Sequence, residues 1–90
     1  MVLVINEKDN VGIALADLPE KSEVKAGEHI VSVKERVPFG HKVSLRDIKK
    51  GEKIIKYGEV IGEAIEDIKA GSHVHIHNMA GLRGRGDEKV

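Results

Sequence analysis

The chain has 90 residues, enough for one small domain, with 40% apolar residues, 33% charged residues and 15 basic side chains against 15 acidic ones. A formal net charge of zero gives no long-range pull toward nucleic acid or an anionic membrane, and Phe39 and Tyr57 are the only aromatic platforms. The lack of cysteine excludes disulfides, zinc–thiolate centres and thiol nucleophiles.

The first element, "MVLVI", is a short apolar run that reads as a strand. No basic region precedes it, and it is too short for a signal-peptide core or a membrane span, so a cytoplasmic protein is expected. "EHIVSVKERV" alternates, with Ile30, Ser32, Lys34 and Arg36 on one face and Val31, Val33, Glu35 and Val37 on the other. "VPFGHK" (37–42) sets a proline and a glycine around His41 and reads as a mobile loop. A single helical turn is expected near "SLRDIKK"; no window of eleven or more residues carries a helical stripe. "EKIIKYGEVIGEAI" reads as two short strands or bends broken at Gly58 and Gly62. "HVHIHN" alternates throughout, with His73, His75 and His77 on one face and Val74 and Ile76 on the other. The domain is expected to span residues 1–78. The tail, 79–90, is rich in glycine and arginine and is expected to order only against a partner or ligand.

An internal echo accompanies these elements. "LADLPEKSEV" (15–24), "LRDIKKGEKI" (45–54) and "IEDIKAGSHV" (65–74) align without gaps. Each places an aspartate between two apolar residues, then a turn, then a further apolar residue. Gly51 and Gly71 occupy the turn, with Ser22 expected in their place in the first copy. "VKAGEHI" (24–30) is a fourth, partial turn. Asp17, Asp47 and Asp67 are expected to accept bonds from nearby amides and so begin their turns. The spacing of the copies is too irregular for a solenoid. With β-branched residues dominant, the pattern predicts a compact all-β domain of short strands and tight turns.

Three of the chain's five histidines fall within "HVHIH". Residues i and i+2 of a strand stand roughly 6.5–7 Å apart on one face. Neighbouring imidazoles can therefore share an ion, while a third needs a bend. Imidazole suits iron, zinc, nickel or copper, and it also transfers protons near neutral pH. An exposed polar face with no task would show the same alternation. His41, in a loop, is a weaker candidate by itself. Lys56 and Tyr57 lie among apolar residues and glycines, as reactive groups or as simple filling. Arg83 and Arg85 have the forked geometry that binds carboxylates, or they belong to a solvated basic tail. No serine has an adjacent base, and no phosphate-binding glycine pattern precedes a helix.

The motifs "PFGHK", "DIKKGE", "IKYGEVIG", "DIKAGSHVHIHN" and "LRGRGD", in that order, closely resemble the SAF domain at the N-terminus of the altronate and galactarate dehydratases. The resemblance runs over roughly residues 7–87 and implies a β-clip fold. It also implies the small subunit of a metal-dependent sugar-acid dehydratase that works with a large catalytic subunit, with iron(II) or manganese as the metal. The small subunit of sulfolactate sulfo-lyase is similar. On this resemblance His41, Lys56, Tyr57 and His75 are catalytic candidates, and His73, His75 and His77 are metal candidates. Arg83 and Arg85 are candidates for binding the sugar-acid carboxylate. A non-catalytic carbohydrate-binding or regulatory module is the alternative, and a homo-oligomer is left open.

Overall fold

The computed structural model describes residues 1–81, which are all-β. Nine short strands follow one another: β1 (Val2–Leu3), β2 (Val11–Ala14), β3 (Glu23–Ala26), β4 (His29–Ser32), β5 (Lys42–Ser44), β6 (Lys53–Lys56), β7 (Glu59–Ala64), β8 (His73–Val74) and β9 (Met79–Gly81). Six of them form a sheet in the order β4-β3-β1-β2-β5-β8, and three form a second in the order β6-β7-β9. Met79–Gly81, which composition alone groups with the tail, pairs antiparallel with β7.

Because side chains alternate across a strand, β2, β5 and β8 act as a wall between two apolar clusters. Ala14 and Val43 face one cluster, with Val2, Leu18, Ala26, Val31, Val33 and Val37. Val11 and Val74 face the other, with Ile48, Ile54, Ala64 and Ile68. The register of this wall matters for function. On β5, Lys42 lies opposite Ile13 of β2 and Val74 of β8, while Val43 lies opposite His73.

The echoed segments pair with one another rather than closing on themselves. Antiparallel bridges join Leu18 to Val37 and Ile48 to Ile68. Asp47 accepts the Ala70 amide at 2.9 Å, Asp67 accepts the Lys50 amide at 2.9 Å, and Asp17 accepts the Phe39 amide at 2.9 Å. The expectation that each aspartate begins its own turn is therefore corrected. Each one staples a different copy, 17 to 23 residues away.

Positive backbone φ marks the turns at Lys21 (70°), Gly40 (84°), Gly51 (89°) and Gly71 (88°). Lys21, not Ser22, thus holds the turn position of the first copy. A fourth copy, without the leading apolar residue, is revealed at 35–43, where Arg36 stands in the aspartate's place and pairs with Asp17 at 3.1 Å. Gly71 is held by sterics as well as by φ, since a Cβ there would sit on the Ser32 carbonyl oxygen. No helical turn forms at 44–50; Ile48 is instead drawn into its bridge with Ile68.

Candidate functional site: a histidine cluster at the edge of the six-stranded sheet

The alternation of "HVHIHN" does not continue as a strand. β8 ends at Val74, and the chain turns over residues 75–78. Val74 is fully buried, whereas Ile76 is 78% exposed and secures nothing. The turn is built around Asn78, a buried side chain. Its Nδ2 donates to the His73 carbonyl at 2.9 Å, and its Oδ1 accepts the His75 amide at 2.9 Å. The Asn78 and Met79 amides both donate to the His75 carbonyl, at 3.1 and 3.0 Å.

The third histidine comes from elsewhere. The segment 37–42 is tied down rather than a free loop. Val37 bridges Leu18, the Gly40 amide donates to Ala14 at 2.8 Å, and the Ala14 amide donates to His41 at 2.9 Å. His41 is thereby set one residue before β5, beside β8. Its Nδ1 lies 2.9 Å from Nε2 of His73. The ring centroids of His41 stand 5.0 Å from those of His73 and 4.8 Å from those of His75. His73 and His75 stack at 5.5 Å and 13°, and His77 lies 5.5 Å from His73.

Among the described residues, the set whose ligating nitrogens all lie within 4.8 Å of one another is His41, His73 and His75. His77 packs against His73 outside that set and is exposed. Two nitrogens bound at about 2.1 Å to one ion, at a right angle, stand about 3 Å apart. The His41–His73 separation matches this, so the donor set fits a divalent transition metal that favours imidazole. Burial, and then the neighbouring His41, His75 and His77, push the His73 imidazole below its ordinary value; Glu35 acts weakly against them. Burial also lowers His75, aided by His41, Lys42 and His77. Both rings are thus neutral at pH 7, which is the form that binds metal or accepts a proton.

Lys42, which sequence reasoning passed over, borders this cluster. Burial, and then the charge of Lys56, lower its ammonium below the ordinary lysine value. Lys56 ends β6 and sits 5.1 Å over the ring of Tyr57. Tyr57 and Gly58 turn the β6–β7 hairpin with φ of 56° and 77°, the two left-handed residues of a tight hairpin turn. A tyrosine is rare in the first of these positions and must be held there. Asp9 does the holding: it is buried, and its carboxylate accepts the Gly58 amide at 2.7 Å and the Asn6 amide at 3.2 Å. Burial alone would raise the Asp9 carboxyl, but backbone N–H groups of Gly58, Asn6, Tyr57 and Ile5 outweigh it and hold the value low.

Next to it, Asn10 anchors the same hairpin through Lys53 and Ile55, at 2.8 and 2.7 Å. The pair "DN" (9–10) and Asn78 read as ordinary turn residues in the sequence; only their burial marks them as anchors. Arg83 and Arg85 lie outside the described residues. Two surface clefts, one around Val4, Asn6 and His29 and one around Asp47 and Asp67, include none of the clustered imidazoles. His41, His73 and His75 are each half-buried.

This geometry belongs to a chain with well-characterised relatives. The chain is 51% identical to the altronate dehydratase of Escherichia coli over 82% of its own length, but it spans only 15% of that protein. It is 40% identical to the galactarate dehydratase (L-threo-forming) of Escherichia coli, over 78% of this chain and 13% of that one. It is 32% identical to the (2R)-sulfolactate sulfo-lyase subunit alpha of Chromohalobacter salexigens, over 86% of this chain and 89% of that subunit. The family model for the altronate/galactarate dehydratase SAF domain matches residues 1–82, and the chain belongs to that family.

Proposed function

We propose that this chain is the SAF-domain subunit of a metal-dependent sugar-acid dehydratase of the altronate dehydratase type. It would complete, in the cytoplasm, an active site supplied mainly by a separate large catalytic subunit. The observation that carries this reading is the half-buried three-imidazole set of His41, His73 and His75. Neither of the two clefts named above, among the described residues, takes in those rings, and the reading has a partner surface close over them. The relative that this chain nearly spans is itself named a subunit.

Removal of water from a 2-hydroxy acid takes the proton next to the carboxylate and protonates the departing hydroxyl. His41, His73 and His75 would hold an iron(II) or manganese ion, which when bound supplies Lewis acidity toward a substrate oxygen. The chain's own groups do the rest. Without the ion, the pairing of His41 Nδ1 with His73 Nε2 fixes both ring orientations through one shared proton, which the ion would displace on binding. A neutral imidazole of the cluster takes or returns a proton at a ring nitrogen. Tyr57, held in its turn by Asp9, presents its ring to Lys56 Nζ. Expulsion of sulfite instead of water, as in a sulfolactate sulfo-lyase, would use the same groups; the near-complete match to a subunit alpha favours this second reading.

The test has two parts. The purified chain with iron(II) or manganese should be inert toward altronate, galactarate and sulfolactate, and turnover of about 1–10³ per second by the chain alone would overturn the subunit reading. Cobalt(II) titration followed by histidine NMR should perturb His41, His73 and His75 first. A response confined to His29 or His77 would place the metal elsewhere.

A further inference from the structure

His41, His73 and His75 offer three neutral donors in a half-buried place. A dication held by them alone would keep its full charge there, which is costly without an anion close by. Imidazole by itself also suits zinc, nickel or copper, whereas manganese favours carboxylate oxygen and non-haem iron(II) sites combine histidine with one carboxylate. What the three rings lack is an anion.

The fold sets one beside them. β8 is the edge strand of the six-stranded sheet. The His73 amide on that strand donates to Oε2 of Glu35 at 3.4 Å. The bend that carries Glu35 is itself fixed. The Lys34 amide donates to the Gly71 carbonyl at 2.9 Å. Gly71, having no Cβ, lets the Ser32 carbonyl and the Lys34 amide come close. The backbone at 32–34 is thus tied to Gly71, and Glu35 begins in contact with the residue whose ring meets His41. Its charge also reaches the His73 ring, where it favours the cationic form.

Glu35 is held there lightly. At 3.4 Å its hydrogen bond is a long one, and the side chain is exposed. Ion pairs among the described residues engage Asp17, Glu52 and Glu63, not Glu35. The neighbouring Arg36 turns to Asp17 instead.

We infer that Glu35 is the carboxylate ligand of the metal centre, its side chain turning from the His73 amide to the ion that the three imidazoles hold. The inference rests on the proposed metal site and adds to it the oxygen donor that iron(II) or manganese takes. A mere cap on the edge of β8 would need only an acceptor oxygen, with no charge.

The experiment uses the whole, isotope-labelled chain, titrated with zinc(II) as a diamagnetic probe and followed by NMR. The side-chain carboxylate carbon of Glu35 is expected to shift with the same midpoint as the rings of His41, His73 and His75, while those of Glu28 and Glu52 stay still. Glu35→Gln should bind zinc about tenfold more weakly, the size of one lost charge-assisted contact. Its amide oxygen still accepts the His73 N–H, so its urea midpoint without metal should match the parent's. Should Glu35→Gln fold poorly, the carboxylate signal of the parent decides alone. A still Glu35 carbon, or undiminished zinc binding in Glu35→Gln, overturns the ligand assignment and leaves the imidazole set standing. Silence of all three imidazoles in parent and variant overturns the metal reading itself, and the ligand with it.

Discussion

Asn78 sets the positions of His73 and His75 through two side-chain hydrogen bonds, and its removal is a quantitative test of that statement. Its amide donates to the His73 carbonyl and accepts the His75 amide, both at 2.9 Å, with the side chain 4% exposed. Asn78→Ala deletes both bonds. Each is worth about 1 kcal/mol net, and a group left unpaired away from water costs about 1–3 kcal/mol. The half-exposed turn lets water reach part of the gap, so a loss of about 2–3 kcal/mol is expected. That is a large share of the roughly 5–13 kcal/mol available to a domain of this length. Urea unfolding at pH 7 measures it.

Asn78→Asp separates the two bonds. A carboxylate still accepts the His75 amide but turns its second oxygen on the His73 carbonyl. Its protonated form can donate there instead, so the folded value of the introduced carboxyl is raised. Its contribution is then intact below the unfolded value of about 3.8–3.9 and is lost as pH rises through the folded value. The variant should therefore lie closer to the parent at pH 4 than at pH 7. A loss under about 0.5 kcal/mol for Asn78→Ala, with unchanged histidine signals, would refute the claim that this side chain builds the turn.

Two further outcomes follow from the fold. Gly71→Ala should be far more damaging than Gly51→Ala, although both have φ near +90°, because the added methyl meets the Ser32 carbonyl in one case and open space in the other. Backbone strain alone costs about 1–2 kcal/mol, so thermal melts that match for the two variants would contradict the close approach. Asp9 has a folded value below its ordinary 3.8. Its contribution is present above that value and is lost as pH falls through the folded one. Asp9→Asn should lower the urea midpoint at pH 7, because an amide offers an N–H to backbone donors that need an acceptor, and the variant should lose less than the parent on acidification from pH 5 to pH 2. A parallel acid loss in both would show that other carboxylates carry the effect.

The all-β class was legible in the residues themselves. Alternation of valine and isoleucine with polar residues, cut at short intervals by glycine, permits little except short strands and turns. The repeated Asp-apolar-turn unit was legible too, but only as spacing. That Asp47 meets Ala70 and Asp67 meets Lys50 is a matter of pairing across the fold, and no local pattern contains it. The copy at 35–43 stayed hidden because Arg36 replaces its aspartate, although Gly40 keeps the turn. "SLRDIKK" suggested a helical turn through local propensity, which the bridge between Ile48 and Ile68 overrode.

The candidate site divides in the same way. The sequence by itself determined that imidazoles would gather, because three of them alternate in five residues. Which of them converge was decided by the tertiary structure. Asn78 bends the chain after Val74, so His77 leaves the expected line. The pairing of β5 with β8 brings in His41 from 32 residues away, within 2.9 Å of His73. Lys42 was invisible for a related reason. A lysine after a histidine reads as solvent-facing, and only the strand register, with Ile13 on one side and Val74 on the other, half-buries it. Composition and spacing specify which groups a chain carries and which faces they share along one strand. Distances between groups on different strands follow from register and packing, which depend on the whole chain at once.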